Sequence, residues 1–337
     1  MKIVTTTGFY GTGSSAITDL LSEYDNVACK GDFEIRIAHD PYGISDLEYN
    51  LVDNPNKNNS SNSLKKFISM VERLHSPVFS RHYEEYFNNR FRKYAYEYIN
   101  DIVEFNYYGR WHYDLIERGK IVFFLSRAYN KFFVILKRIF GIKNDVDHAL
   151  LSEKEPAYGT ITDRDKFLVA TRTFFKKIID EINPECKEIV MVDQLVPPTN
   201  IARYERYIPN LYTIVVDRDP RDIYILEKKY WKGHTVPYYD VDVFCKWYEW
   251  TRRQYEIMPK GNSIKIQFED LIFNYNETVK KIEEFIGVAQ LNHINPETIF
   301  IPKKSEKNTR LWEKHIDCLD DIKIIEKKLA NYCFTRY

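Results

Sequence analysis

The chain lacks net charge: Lys and Arg total 49, and Asp and Glu total 49, in 337 residues. Such a balance draws in neither nucleic acid nor an anionic membrane over long range, so any anion site must be local. Cysteine is sparse as well. Cys29, Cys186, Cys245, Cys318 and Cys333 are odd in number and widely spaced, form no C-x-x-C pair and have no histidines at metal-ligand spacing beside them. This excludes a bound metal from the expectation and points to a reduced, cytoplasmic compartment. Met1 runs directly into Ile3-Val4 and a glycine-rich turn, without the basic region, apolar run and cleavage site of a signal peptide. The most apolar stretch, Ile121 to Phe140, contains Arg127, Lys131, Lys137 and Arg138, which makes a membrane-spanning helix expensive.

What is present reads as alternating strands and helices. Lys2 to Thr6 predicts a strand and Gly8 to Gly13 a turn. Ser14 to Tyr24 predicts a helix with Ala16, Ile17, Leu20, Leu21 and Tyr24 on one face. A second strand is expected around Asn26 to Cys29, followed by Asp32-Phe33-Glu34-Ile35-Arg36. The polar stretch Asn54 to Ser63 is expected as a surface loop. From Leu64 to about Lys187 the pattern is mostly helical, broken near Pro156 and Gly159, and reads as a helical insertion in a single domain spanning 1–337. Strand signals return at Glu188–Asp193, Leu211–Asp217 and Ser263–Phe268. Helices are expected at Val243–Ile257 and at Glu277–Ile286, the latter closed by Gly287. The expected fold class is therefore α/β, a parallel sheet with helices on both faces, whose ligands bind at the carboxyl ends of the strands.

The segment Gly8-Phe9-Tyr10-Gly11-Thr12-Gly13-Ser14-Ser15 keeps phosphate-loop spacing, but Ser14 stands where a nucleoside-triphosphate enzyme needs lysine. Glycines let successive N–H groups turn into one hollow, and the serine hydroxyls add donors for a phosphate or sulfate. The plainer reading is a tight strand-to-helix turn. After the apolar run Ile214-Val215-Val216 comes Asp217-Arg218-Asp219-Pro220-Arg221-Asp222. Arg218 at the same sheet edge could grip a second phosphate through its planar fork. Alternatively Arg218 and Arg221 pair with the neighbouring aspartates, one of the two being structural.

The glycine-serine loop, the R-D-P-R-D turn and the later Phe268-Glu269-Asp270-Leu271 ahead of a helix ending Phe285-Ile286-Gly287 together resemble the sulfotransferase superfamily, in order and spacing. The resemblance covers about the first 40 residues and most of Val190 to Trp312. It implies a P-loop-like fold and 3′-phosphoadenosine-5′-phosphosulfate (PAPS) as sulfuryl donor, with 3′-phosphoadenosine-5′-phosphate (PAP) as product. It further implies that Gly11, Thr12, Gly13, Ser14 and Ser15 surround the 5′-phosphosulfate and that Arg218 meets the 3′-phosphate. The segment Ser305 to Trp312 would close over the nucleotide, with Lys303, Lys304, Asn308 and Arg310 as candidate contacts. Two positions depart from the family: Gly11 replaces a customary Lys or Arg, and Leu226 replaces a serine that would be a second 3′-phosphate ligand. Arg36, Lys303, Lys304, Lys307 and Arg310 are candidates to restore the missing cation.

Sulfuryl transfer also needs a base for the acceptor proton. Glu34 is the nearest equivalent of the family's glutamate, with Asp32 and His39 behind it. A Glu34–Arg36 ion pair is the alternative. The aromatic-rich insertion is the expected acceptor-binding region, and the abundant Asn, Lys, Ile and Tyr fit an AT-rich bacterial genome in which a glycan or lipid-linked glycan is the expected acceptor. Two other functions compete: a lysine-less phosphate-loop small-molecule kinase, and a binding protein that holds a nucleotide without turnover. For Ile121 to Phe140, the apolar helix face is expected against the core or a second subunit, as in a homo-oligomer. Its flanking cations and aromatics leave a peripheral membrane contact as the alternative.

Overall fold

Neighbouring residues of strand β1 (Lys2–Gly8) enter different cores: Ile3 joins one cluster of buried side chains and Val4 the other. This alternation is what a strand covered on both faces requires. The computed structural model describes residues 1–78, 82–109, 116–142, 155–233 and 235–336. Along the chain follow β2 (Val27–Glu34), β3 (Val103–Gly109), β4 (Glu155–Thr160), β5 (Ile189–Asp193), β6 (Leu211–Asp217) and β7 (Ser263–Gln267). Five of these form one parallel sheet in the order β2-β5-β1-β6-β7. The chain is thus α/β, a parallel sheet flanked by helices, as the apolar runs predict.

On one face the helix Ser15–Leu21 packs Ile17 and Leu20 against Val4, Met191 and Ile214. Tyr275–Ile286 completes that face, and Gly287 closes it in the left-handed conformation at φ 63°. On the other face, helices Phe91–Ile102 and Arg164–Ile182 lay Tyr98, Phe167 and Phe174 into one cluster with Ile3, Val190 and Val192. The expected helical insertion therefore shares the core of the sheet. It is also not wholly helical: β3 and β4 pair antiparallel, with Tyr107 opposite Ala157, so Pro156 and Gly159 mark a strand.

The polar stretch Asn54 to Ser63 is mostly helix rather than loop. Asn56 caps Lys57–His75 by accepting from the Asn59 amide at 2.9 Å. Its serines are buried because they are small and bonded: Ser60 Oγ donates to Asn50 O at 2.8 Å, and Ser61 Oγ accepts from the Tyr158 amide at 3.2 Å. A hydrophobicity pattern misses such a face, since its buried groups are polar and satisfied.

Candidate functional site

β1 lies at the centre of the sheet with β5 and β6 on either side, so the chain leaves it at a topological switch point. The turn after Gly8 has three residues at positive φ: Tyr10 at 65°, Gly11 at 68° and Gly13 at 83°. Gly13 is required twice over. Its φ disfavours a side chain, and an added Cβ would fall 2.7 Å from the Phe268 ring. Ser14 Oγ accepts from Gln194 Nε2 at 2.9 Å, which leaves its own hydroxyl hydrogen available as a donor. Gln194, just past β5, also donates its main-chain amide to Thr6 O at 3.0 Å, and its carbonyl meets His39 Nε2 at 2.9 Å. One residue thus braces both the glycine loop and the histidine.

At the end of β6, Asp217 is buried against Arg252, with Nη2 at 2.7 Å. The next residue turns the other way. Arg218 is buried, its guanidinium donating to Gly11 O at 3.1 Å and to Asn308 O, and lying 4.8 Å from the Phe268 ring centroid. Arg221 is the structural partner of the two: it pairs with Asp219 at 2.6 Å and Glu326 at 2.8 Å and donates to Phe334 O. Asp222 accepts from the amides of Arg310 at 2.9 Å and Leu311 at 2.7 Å, fixing the segment that follows Ser305. Glu269 is fully buried, accepts from the Asp219 amide at 3.0 Å, and is pushed up to about 8 by burial.

The third wall comes from β2. A register shift between Cys29 and Glu34 brings Glu34 opposite Asp193 at the end of β5. Glu34 is exposed and lies 3.5 Å from Arg36, whose Nε donates to Asp40 at 2.9 Å. The Glu34–Arg36 ion pair is therefore present, and Glu34 also lines the cavity that these walls enclose. Burial pushes the His39 imidazole below its ordinary value; the hydrogen bond to Gln194 opposes that shift and the Arg36 charge adds to it. Since a carbonyl only accepts, Nε2 carries the proton and Nδ1 the lone pair. Asp32 lies on β2, and its side chain is outside the described part of the structure.

These walls enclose a cavity of about 1130 Å³. It is lined by Gly11, Thr12, Gly13, Ser14, Ser15, Glu34, Arg36, His39, Arg218 and Asn308, all picked out by the sequence. Lys303 and Lys304 stand exposed on the short helix Pro302–Ser305, and Arg310 pairs with Glu306 at 3.3 Å; none of the three lines the cavity. Sequence reasoning misses Asp193, Gln194 and a tryptophan wall of Trp231, Trp247 and Trp250, beside which Leu226 sits. The signal for Asp193 is a polar residue ending an apolar strand; Trp247 and Trp250, three apart on the helix Val241–Ile257, share a face with Thr251 and Gln254, whereas Trp231 carries no signal in its spacing. Among the described residues, no group of three or more His, Cys, Asp or Glu side chains could hold a metal ion.

No family model matches the chain, and comparison with curated proteins gives no match. Among solved structures the chain is similar to a sulfotransferase of Mycobacterium tuberculosis, at 10% identity and a TM-score of 0.32, over 92% of this chain and 76% of that one.

Proposed function

We propose that this chain is a sulfotransferase, moving a sulfuryl group from PAPS to a hydroxyl or amine of a glycan or lipid-linked glycan. The observation that carries the reading is a lysine-free glycine loop and a buried arginine opening on one cavity, with Glu34, Arg36 and His39 on its other wall. A nucleoside triphosphate enzyme would need the loop lysine. The cavity volume of about 1130 Å³ exceeds the usual range of about 300–1,000 Å³ for one small ligand, which suits a nucleotide and an acceptor together.

In this reading the loop and Ser14 hold the 5′-phosphosulfate, and Arg218 takes the 3′-phosphate. Leu226 supplies no hydroxyl at the position where the family's second 3′-phosphate ligand would stand. The acceptor oxygen forms a bond to sulfur as the bond from sulfur to the 5′-phosphate oxygen breaks. PAP leaves with that electron pair, and the acceptor proton passes to Glu34. Such a loose, in-line transfer depends on positioning and charge stabilisation. Of the cations considered, Arg36 is the one in the cavity, so it replaces the lysine lost at Gly11. Trp231, Trp247 and Trp250 offer flat faces for the adenine or an acceptor ring. All five cysteines are free thiols, which suits a reducing, cytoplasmic setting.

The test is Glu34→Gln, assayed with radiolabelled PAPS and a panel of glycan acceptors. The glutamine keeps size and polarity but accepts no proton, so PAP affinity stays and transfer is abolished. Retained turnover would move the base to His39 or Asp32. PAP binding without turnover in the unaltered chain, on every acceptor tried, would favour a protein that only holds the nucleotide.

A further inference from the structure

The helix Lys120–Ile139 has one fully buried residue, Ser126. The half-buried positions Phe123, Asn130, Phe133 and Lys137 share the side of Ser126, so the helix meets the rest of the chain along that stripe. Turned away from it, Ile121 is 77% exposed, Phe124 66%, Leu125 64%, Phe132 57% and Ile139 71%. The sequence pattern groups Val122, Phe123, Tyr129, Phe133, Leu136 and Phe140 on one apolar face; Phe123, Phe133 and Leu136 are half-buried, while a different apolar face, that of Ile121, Phe124, Leu125, Phe132 and Ile139, stands outside this chain's core. A contiguous face of this size is rare on a soluble surface without a partner.

The polar side says what the partner is. Lys120, Arg127, Lys131 and Arg138 are spaced by seven, four and seven residues, which at 3.6 residues per turn places them along one line at the margin of the apolar face. All four are exposed. From Lys120 to Ile142 there is no Asp or Glu, in a chain whose overall charge is zero. A second copy packed on this face would bring the same cations and no acid from this helix to pair with them. A surface of anionic headgroups supplies negative charge along the whole line while acyl chains take up the aromatics. No helix among the described residues is long and apolar enough to cross a membrane.

We propose that Lys120–Ile139 lies in the plane of an anionic membrane surface, apolar face down, and holds the protein there. At about 1.5 Å per residue it would lie along roughly 30 Å of that surface.

The test is flotation of the full chain with vesicles of phosphatidylglycerol and phosphatidylcholine, against pure phosphatidylcholine, at low and high salt. Analytical ultracentrifugation without lipid runs in parallel. Binding is expected on anionic vesicles alone and weaker at high salt, with partition falling about fivefold for Arg127→Ala and again for Lys131→Ala. The double variant Leu125→Ser/Phe132→Ser is expected to lose binding with its circular dichroism unchanged, both side chains being exposed. Should it fail to fold, the two cation variants carry the test. The proposal is overturned by no binding to anionic vesicles at low salt, by equal binding to neutral ones, or by binding indifferent to these substitutions. A dimer that the double variant dissolves also overturns it and assigns the face to a second copy.

Discussion

Arg218 and Gly11 are joined by a hydrogen bond of 3.1 Å from the guanidinium to the loop carbonyl, so the end of β6 grips the turn that follows β1. The same guanidinium donates to Asn308 O in the segment that follows Ser305. Arg218 thus stands where the glycine loop, the segment around Asn308 and the cavity meet. Arg218→Ala is expected to weaken PAP binding by roughly 2–3 kcal/mol, the worth of a charge-assisted contact to phosphate. Arg218→Lys restores the charge without the fork and should recover part of the loss. Titration calorimetry measures both; unchanged affinity in the alanine variant makes Arg218 purely a structural clip.

Arg36 and Glu34 lie 3.5 Å apart on the opposite wall. If Arg36 neutralises charge on the sulfuryl oxygens, its removal acts on the transition state more than on the product. Arg36→Ala is expected to lower kcat by about 10²–10³-fold, the usual effect of losing one charge-stabilising donor, with PAP affinity little changed. Steady-state kinetics set beside calorimetry separate the two quantities. An equal loss in both would place Arg36 in nucleotide binding instead.

The buried Glu269 makes stability depend on pH. Its carboxyl titrates near 4.5 in an unfolded chain and near 8 in the folded protein, mainly because burial disfavours the charge. Between those values the folded state holds a proton that the unfolded state has released, so stability falls as pH rises from 4.5 to about 8 and levels off above. Glu269→Gln keeps an acceptor for the Asp219 amide and has no proton to lose. The variant should gain on the wild type across that window, by several kcal/mol in all at about 1.4 kcal/mol per pKa unit. Urea melts at pH 5, 6, 7 and 8 check this; parallel pH profiles would mean that Glu269 stays ionised.

The sheet was legible chiefly at β5 and β6, which carry their own apolar runs: Ile214 and Val216 face one core while Val215, between them, faces another. The glycine loop was legible at Gly13, where φ and the Phe268 ring both exclude a side chain, but not at Tyr10, which adopts φ 65° without glycine's help. Gln194 was illegible. Its importance comes from sheet order, which sets β5 beside β1 and so aims one amide at Ser14 and one carbonyl at His39. Lys303, Lys304 and Arg310 carry the right charge near Asn308, but charge in sequence says nothing of direction, and none of the three lines the cavity. The helix Lys120–Ile139 shows the same limit: its amphipathic pattern was plain, while the side resting on the protein depended on contacts outside it.

In the proposed reaction the cavity takes a sulfonucleotide and not a nucleoside triphosphate. Titration calorimetry of the full chain with PAP, against ATP with magnesium, tests it most directly. The loop that lines the cavity has no lysine for a triphosphate, and Arg218, on the same cavity, is proposed to meet the 3′-phosphate that ATP lacks. PAP should therefore bind and raise the thermal midpoint, since a ligand held by the folded state alone stabilises it, while ATP with magnesium should do neither. Equal binding of the two, or binding of ATP alone, would rule out a sulfonucleotide site.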